Sequence, residues 1–201
     1  MTCWIVIPAK ASSDAKGRLA GVLDAGSRET LTAAMLVRAA QASLAANGAD
    51  CLALVGESYP GLPAGIEWLL EPFGGLNAAL TSARTTVAGR GASRIITLAG
   101  DLPLVEPADI EALCLLPPAV IGIAPDRHGT GTNALSLPLP EALDFAYSYG
   151  LGSYALHKAE ISRLGLGWQI IDREGLARDV DEPADLADAQ HLLPCMLDGI
   201  L

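Results

Sequence analysis

Positive charge is scarce in this sequence of 201 residues. It has 13 Lys and Arg against 23 Asp and Glu, for a formal net charge of -10 at pH 7. Affinity for nucleic acid comes mainly from clustered Lys and Arg, so we expect no DNA or RNA partner. The acidic surface also repels an anionic substrate, so a phosphate ligand requires a local cluster of cations.

Cysteine is rare and unpaired. The four residues Cys3, Cys51, Cys114 and Cys195 are scattered, with no Cys-x-x-Cys pair, and lie in or beside apolar stretches. This pattern argues against a disulfide framework and against a zinc site, and favours reduced thiols in a core. We therefore expect a cytoplasmic protein.

Long apolar runs are missing, although 51% of the residues are hydrophobic. The first apolar stretch, 4–8, has no charged leader before it, so we expect neither a signal peptide nor a membrane partner. Repeats, linkers and low-complexity segments are also missing. We expect one domain over 1–201, long enough to bury about two thirds of its unfolded surface. The oligomeric state stays open, with a homodimer as the candidate.

Short apolar runs bounded by Gly, Pro and Asp alternate with segments of helical period. This alternation is typical of an α/β fold around a mostly parallel, mixed sheet. The predicted strands are 4–8, 51–55, 66–70, 94–99, 119–124, 134–137 and 168–171. The predicted helices are 28–46, 76–87, one from 107, 153–164 and one that begins after 181–183. The predicted inner faces carry Leu31, Met35, Leu36, Ala39, Ala40 and Leu44 in the first helix, and Leu186, Ala189 and Leu193 in the last.

The loop after the first strand concentrates cations in an otherwise acidic chain. Lys10, Lys16 and Arg18 fall within nine residues, directly after Pro8 and Ala9. Ligands of open α/β sheets bind beyond the carboxyl ends of strands, so these cations are candidates to bind a triphosphate. The alternative is a solvated basic loop with no ligand.

A glycine pair follows the third strand. Gly74 and Gly75 lead into a helix whose free N–H groups can approach a nucleotide, and Asn77 can pair with a base edge. The alternative is a strand-to-helix turn that requires positive φ, with Asn77 as a cap or facing solvent.

Acidic residues follow the fourth strand and precede the last helix. Asp101 and the segment 179–182, which includes Asp181, offer the hard oxygen ligands that Mg²⁺ prefers, with phosphate oxygens completing its shell. Alternatively, Asp101 stabilises a turn and Asp181 caps the helix.

Two further segments are rich in backbone N–H groups and hydroxyls. In the loop 125–133, the candidate anion-binding residues are Thr130, Gly131, Thr132 and Asn133. Gly150 and Ser153 precede or open a helix, where an anion can also bind. A plain turn and a plain helix cap are the alternatives. The three His residues have no metal-binding spacing, and we assign them no role.

Together these motifs resemble, over nearly the whole chain, the phospholactate guanylyltransferase family of deazaflavin coenzyme F-420 biosynthesis. They are, in chain order, Ile7-Pro8-Ala9-Lys10 with Ala15-Lys16-Gly17-Arg18-Leu19, Gly74-Gly75-Leu76-Asn77, Asp101-Leu102-Pro103-Leu104, Gly129-Thr130-Gly131-Thr132-Asn133-Ala134-Leu135, Tyr149-Gly150-Leu151-Gly152-Ser153 with His157, and Asp179-Val180-Asp181-Glu182-Pro183-Ala184-Asp185-Leu186.

The resemblance implies a single-domain Rossmann-like nucleotidyltransferase fold. It implies that GTP lies along the first loop and the Gly-Gly-Leu-Asn segment, and that the last glycine-rich segments bind 2-phospho-L-lactate, phosphoenolpyruvate or 3-phospho-D-glycerate. There are two departures: Tyr149 stands where the family has Phe, and 11–14 lacks the family's Pro-Leu.

The predicted reaction is attack of an acceptor phosphate oxygen on the α-phosphorus of GTP, with pyrophosphate as leaving group. Asp101 and Asp181 would hold Mg²⁺, while Lys16 and Arg18 would balance charge on the departing pyrophosphate. A phosphate acceptor is already ionised, so no general base is required. Two alternatives are a nucleotidyltransferase acting on a pterin cofactor or sugar phosphate, whose usual Arg-Met-Gly element is missing here, and a non-catalytic nucleotide-binding domain.

Overall fold

A computed structural model describes residues 2–9, 16–70, 72 and 74–192. Residues 190–192 are described by their backbone alone. Its centre is one seven-stranded sheet. The strands are β1 (Cys3–Ala9), β2 (Cys51–Gly56), β3 (Ile66–Leu69), β4 (Arg94–Leu98), β5 (Val120–Pro125), β6 (Thr132–Pro138) and β7 (Gly167–Ile170).

The strand order is β3-β2-β1-β4-β6-β5-β7. β6 runs antiparallel to both of its neighbours, β4 and β5, whereas the other four strand pairings are parallel. The prediction of a mostly parallel, mixed α/β sheet is confirmed.

The described chain has seven helical segments. They are a 3₁₀ helix (Gly17–Gly21), α1 (Ala25–Ala45), α2 (Gly75–Gly89), α3 (Pro107–Cys114), α4 (Ser153–Leu164), α5 (Glu174–Ala177) and α6 (Pro183–Leu192). All five predicted helices are present. The 3₁₀ helix and α5 were not predicted, since four or five residues are too few to show a helical period.

Buried residues fill both faces of the sheet. One core places Leu36 of α1, Ile110 of α3 and Leu176 of α5 against the sheet, and the other places Leu80 of α2 and Ile161 of α4 against the opposite face. Helices on both faces are what a sheet with buried parallel strands requires.

The predicted inner face of α1 is correct except at its end. Leu31, Met35 and Leu36 are buried, but Leu44 is 44% exposed. The buried stripe continues instead through Ala42 and Ser43, because the helical period moves the inner face by that point of the helix. Leu186 and Ala189 are buried as predicted, and Leu193 lies outside the described residues.

A third, smaller core joins the two ends of the chain. Leu19 and Leu23 pack with Val180 and Leu186, against Leu31 and Met35 of α1. This contact brings the end of the first loop beside the acidic segment before α6. Within the described ranges, no helix combines the length and apolarity needed to cross a membrane.

Candidate active site

The candidate site lies beyond the carboxyl ends of the parallel strands. Because β6 is antiparallel, its first residue, Thr132, lies at this same edge. A cavity of about 420 Å³ opens there, a size typical of small-molecule sites. Its lining includes the predicted residues Pro8, Ala9, Lys16, Gly75, Asp101 and Asp181, together with Thr32, Leu36, Val55, Tyr59, Leu76, Ala79, Ala99 and Gly100.

Lys16 joins the two predicted metal-binding aspartates. Its ammonium donates to Oδ2 of Asp101 and, at 2.8 Å, to Oδ1 of Asp181. The Lys16 side chain is only 8% exposed, whereas those of Asp101 and Asp181 are 28% and 49% exposed. Lys16 has the left-handed backbone conformation, with φ 55°, which is uncommon for a residue with a side chain. The two aspartates lie 85 and 165 positions after Lys16 in the chain, and both contact its ammonium.

The local charges explain the protonation of Lys16. Burial by itself would lower the pKa of the ammonium, but the negative charges of Asp101 and then Asp181 outweigh it and raise that pKa. A third carboxylate, Asp179, lies beside them. Burial, and then the charge of Asp101, raise the pKa of Asp179 above its ordinary value. Sequence reasoning placed Asp179 in the acidic segment but did not select it as a site residue.

The other two predicted cations differ from Lys16. Arg18 is 71% exposed, and its nearest carboxylate oxygen is Oε1 of Glu182 at 3.7 Å. It is not part of the cavity lining among the described residues. Lys10 lies outside the described residues, so its role as a nucleotide-binding residue stays a prediction.

The glycine pair forms the turn into α2. Gly74 has φ 131° and Gly75 has φ 77°, and a Cβ built on Gly74 would lie 2.9 Å from Cβ of Ala78. Both values favour glycine. The side chain of Asn77 accepts from the N–H of Tyr149 at 2.8 Å and donates to its C=O at 3.1 Å. Asn77 therefore joins the predicted nucleotide-binding segment to the predicted acceptor-binding segment, which sequence reasoning did not foresee.

A β-bulge turns the side chains at the start of β6. Ala134 pairs with Ala124 and Thr132 with Pro125, so Asn133 is the extra residue. Nδ2 of Asn133 donates to the C=O of Leu176 at 2.9 Å and to Oδ1 of Asp179 at 3.2 Å. Asn133 thus positions the acidic segment, while the side chain of Thr132 contacts α4.

The loop before β6 packs on the N-terminus of α4. The N–H of Tyr154 donates to the C=O of Thr130 at 3.1 Å, which brings the two predicted acceptor-binding segments together. The backbone N–H of Thr130 donates to Oδ1 of Asp126 at 2.8 Å and its hydroxyl to Oδ2 at 3.2 Å, so the Thr130 side chain closes a turn. Gly131 lies in that turn, Gly150 lies exposed before α4, and Ser153 is buried as its first residue.

A second set of contacts fixes the acidic segment to α6. Oδ2 of Asp185 accepts from the N–H groups of Asp181 and Glu182 at 3.0 and 2.7 Å. Arg127, from the loop after β5, pairs with Asp185 and also with Asp188 at 2.7 Å. The segment that carries Asp181 is therefore held from both sides.

His157 is a residue that sequence reasoning left without a role. It is fully buried on α4, its Nε2 accepts from the N–H of Ser148 at 3.0 Å, and its Nδ1 lies 3.0 Å from Oγ1 of Thr132. Burial lowers its pKa from 6.5 to about 4, against the opposing charge of Glu160, so the ring is neutral near pH 7. His157 lies one helical turn before the apolar Ile161, and this four-residue spacing is the signal that the sequence offered for an inward-facing position.

This burial predicts a pH-dependent stability. Between pH 6.5 and 4 the unfolded chain binds a proton at His157 that the folded chain does not. The free energy of unfolding should therefore fall by about 3 kcal/mol as the pH is lowered through this window. Urea unfolding of the wild type and of His157→Asn at both pH values measures it. The variant should lack this component, and parallel pH profiles for the two proteins would contradict the prediction.

Tyr149 departs from the Phe of the resembled family, and the structure gives its hydroxyl a partner. The Tyr149 hydroxyl lies 2.7 Å from Oγ1 of buried Thr97, and its ring lies edge-on to His157 with centroids 4.8 Å apart. Burial raises the pKa of Tyr149, so this hydroxyl is neutral. The substitution therefore introduces no unpaired buried polar group.

Sequence comparison identifies the family of the chain. The family model described as guanylyl transferase CofC like matches residues 3–191. The chain belongs to this guanylyltransferase family. A relative from Sphaerobacter thermophilus, a phosphoenolpyruvate guanylyltransferase, is 38% identical over 94% of this chain and 92% of its own. A 2-phospho-L-lactate guanylyltransferase from Halorubrum lacusprofundi is 33% identical over 86% of this chain and 77% of its own.

Structural comparison agrees on the fold. A solved structure from Desulfovibrio desulfuricans G20, assigned to the nucleotide-diphospho-sugar transferases, superposes with a TM-score of 0.79. It covers 97% of this chain and 89% of that one at 16% identity, a likeness of fold alone. The Rossmann-like nucleotidyltransferase fold is thus confirmed, and the guanylyltransferase family makes the chain an enzyme.

Proposed function

We propose that this guanylyltransferase transfers GMP from GTP to phosphoenolpyruvate, 2-phospho-L-lactate or 3-phospho-D-glycerate, with release of pyrophosphate, in coenzyme F-420 biosynthesis. The observation that carries the proposal is the meeting of Lys16, Asp101 and Asp181 at the cavity that the nucleotide loops line. The names of the relatives that are 36–38% identical support phosphoenolpyruvate as the first acceptor to test.

The cavity is the proposed binding site for the nucleotide. Its apolar lining residues, such as Leu36, Val55 and Ala79, suit a base and ribose, and the turn at Gly74 and Gly75 leaves the backbone open to close approach. The Lys16 ammonium lies where the triphosphate must pass to reach the two aspartates. Its charge would offset the negative charge that develops on pyrophosphate as the bond to the α-phosphorus breaks. Arg18, which is exposed beside Glu182, and Lys10 complete the proposed cation set.

The N-terminus of α4 is the proposed binding site for the phospho-acid acceptor. The segment 150–153 leads into α4 beside the loop of Thr130, Gly131 and Thr132, and the first turn of a helix presents N–H groups to an anion. Carboxylate and phosphate oxygens are the groups that such N–H donors and hydroxyls bind. Asn77 links this side to the nucleotide side through the backbone of Tyr149, so the two substrates would meet in a fixed relation.

The two aspartates fit a divalent metal, for which we propose Mg²⁺. They already bracket one cation, the Lys16 ammonium, and both retain exposed oxygen. In the part of the chain that the structure describes, no group of three or more His, Cys, Asp or Glu side chains forms a metal site, so phosphate oxygens would have to complete the shell. Bound there, the metal would neutralise charge on the phosphate oxygens.

The chemistry then requires positioning rather than proton transfer. An oxygen of the acceptor phosphate forms a bond to the α-phosphorus, and the bond from that phosphorus to the pyrophosphate oxygen breaks. The acceptor oxygen is already ionised near neutral pH, so no general base is needed. The protein aligns the two phosphates and balances their charge.

Pyrophosphate release tests the proposal. Purified protein is incubated with GTP, Mg²⁺ and each of the three acids separately, with ATP and CTP as nucleotide controls and a sugar 1-phosphate as acceptor control. We expect release with GTP and one of the acids, lost when Mg²⁺ is chelated. Release only with the sugar phosphate, or binding of GTP without any release, would contradict the proposal.

Two wider expectations accompany this function. A cytoplasmic location is proposed from the free thiols of Cys3, Cys51 and Cys114. Cys195 lies outside the described residues. The homodimer stays a prediction, which light scattering of the purified protein would check.

A further inference from the structure

The hydrogen bonds of His157 fix its tautomer. Nε2 faces the backbone N–H of Ser148 at 3.0 Å, so it acts as the acceptor and carries no proton. The ring is neutral, so its single proton is on Nδ1, and Nδ1–H donates to Oγ1 of Thr132 at 3.0 Å. The structure thereby assigns donor and acceptor to a contact that distance alone leaves undecided.

This assignment makes the Thr132 hydroxyl a donor in any second hydrogen bond that its hydrogen forms. The oxygen already accepts from His157, so its own hydrogen must be donated to another group. Among the described residues, no acceptor for that hydrogen is recorded. Thr132 is the first residue of β6, next to the loop whose Thr130 carbonyl contacts the N-terminus of α4. Within the described residues, this hydrogen is therefore available to a bound group.

We infer that His157 is a positioning residue, which orients the Thr132 hydroxyl as a hydrogen-bond donor to an anionic oxygen of the phospho-acid. The inference rests on the proposed function, and it deepens it by naming the residue that orients the Thr132 hydroxyl toward the acceptor substrate. Without His157 the hydroxyl would rotate freely, and part of its population would point away from the substrate. The loss would fall on binding of the phospho-acid, because the nucleotide cavity does not include Thr132 or His157.

The chain offers matched variants of both residues. Thr132→Val removes the hydroxyl with little change of shape, and Thr132→Ser keeps it. His157→Gln places an amide near Nε2, so it can accept from Ser148 but cannot reach Thr132. His157→Asn places an amide N–H near Nδ1, so it can still donate to Thr132.

We expect Thr132→Val and His157→Gln each to raise KM for the phospho-acid about tenfold, with KM for GTP unchanged. Thr132→Ser and His157→Asn should stay within about threefold of the wild type. Because both residues act through one hydroxyl, the double variant Thr132→Val with His157→Gln should be no worse than either single variant. A purely structural role for His157 would change both KM values and would add to the effect of Thr132→Val.

A measurement on the wild-type protein tests the inference without relying on variants that fold correctly. The ¹⁵N chemical shifts of the His157 imidazole are expected to be those of the neutral Nδ1–H tautomer. The Nε2–H tautomer or an imidazolium near pH 7 would overturn the inference, as would multiplicative effects in the double variant. These failures leave the proposed function intact, provided the wild type turns over. Silence of the wild type with all three acids would overturn the proposed function and this inference with it.

Discussion

Replacing Asp101 or Asp181 by Asn is expected to lower turnover at least about a thousandfold, with GTP binding weakened far less. Asn keeps the shape of each side chain and removes the charge. The two carboxylates are the proposed metal ligands, and both contact the Lys16 ammonium. GTP would keep its contacts with the cavity walls, so its binding stays measurable by calorimetry or fluorescence while pyrophosphate release gives the rate.

The matched control is Asp144→Asn. Asp144 is 69% exposed, and its partner is Arg163, which is also exposed. The change removes the same charge from the same acidic surface, and turnover should stay within about twofold, since surface ion pairs contribute little. Unchanged turnover in both Asp101→Asn and Asp181→Asn would refute their assignment as metal ligands. A loss equal to that of Asp144→Asn would do the same.

The second large effect concerns Lys16. Its ammonium lies between two carboxylates that we propose to bind a divalent metal, so ammonium and metal compete for the same oxygens. Lys16→Met keeps the length of the side chain and removes the charge. Without nucleotide, the variant should bind Mn²⁺ at least about tenfold more tightly than the wild type, because the ammonium that both close carboxylates contact no longer competes with the metal for their oxygens. Its turnover should fall at least about a hundredfold, because the triphosphate loses its buried cation.

Arg18→Met is the control for metal affinity. Arg18 is exposed and lies 3.7 Å from Glu182, so its removal should leave Mn²⁺ binding unchanged. Electron paramagnetic resonance of free Mn²⁺ measures the affinities of the wild type and both variants. Equal Mn²⁺ affinity in the wild type and Lys16→Met would show that the ammonium does not occupy the metal's place.

Much of the fold could be predicted from local patterns. The apolar runs predicted all seven strands to within one residue at each end, except at the start of β6, which begins at Thr132 rather than 134. Thr132 and Asn133 are typical of a loop, and the bulge opposite Ala124 and Pro125 accommodates them at the start of the strand. The pairing of β6 with β5 decides where β6 begins, and a single sequence does not reveal which strands pair.

The site was predicted as separate loops, and their contacts were not. The rule that ligands bind beyond the carboxyl ends of strands placed Lys16, Asp101 and Asp181 at one edge. It did not show that one ammonium joins both aspartates, since that contact depends on the small core formed by Leu19 and Val180. Sequence reasoning proposed Asn77 for a base edge, with a cap or a solvent-facing position as the alternative, and did not show that its amide bonds to the backbone of Tyr149 on both sides.

His157 shows a different limit. A histidine on a helix gives no sequence signal for its tautomer, because the tautomer depends on which groups face its two nitrogens. Here the Ser148 N–H comes from the loop before α4, and the Thr132 hydroxyl comes from a strand 25 residues earlier in the chain. The role of His157 could be found only after these elements were placed in space.

The most direct test of the central claim follows the phosphorus atoms of GTP. The protein is incubated with Mg²⁺, phosphoenolpyruvate and GTP labelled with ³²P at either the α or the γ position. If GMP is transferred, the α label appears in a new product that also contains the acid, and the γ label appears in pyrophosphate. Transfer of the γ label to the acid, or release of the γ label as inorganic phosphate in the absence of pyrophosphatase, would contradict the account.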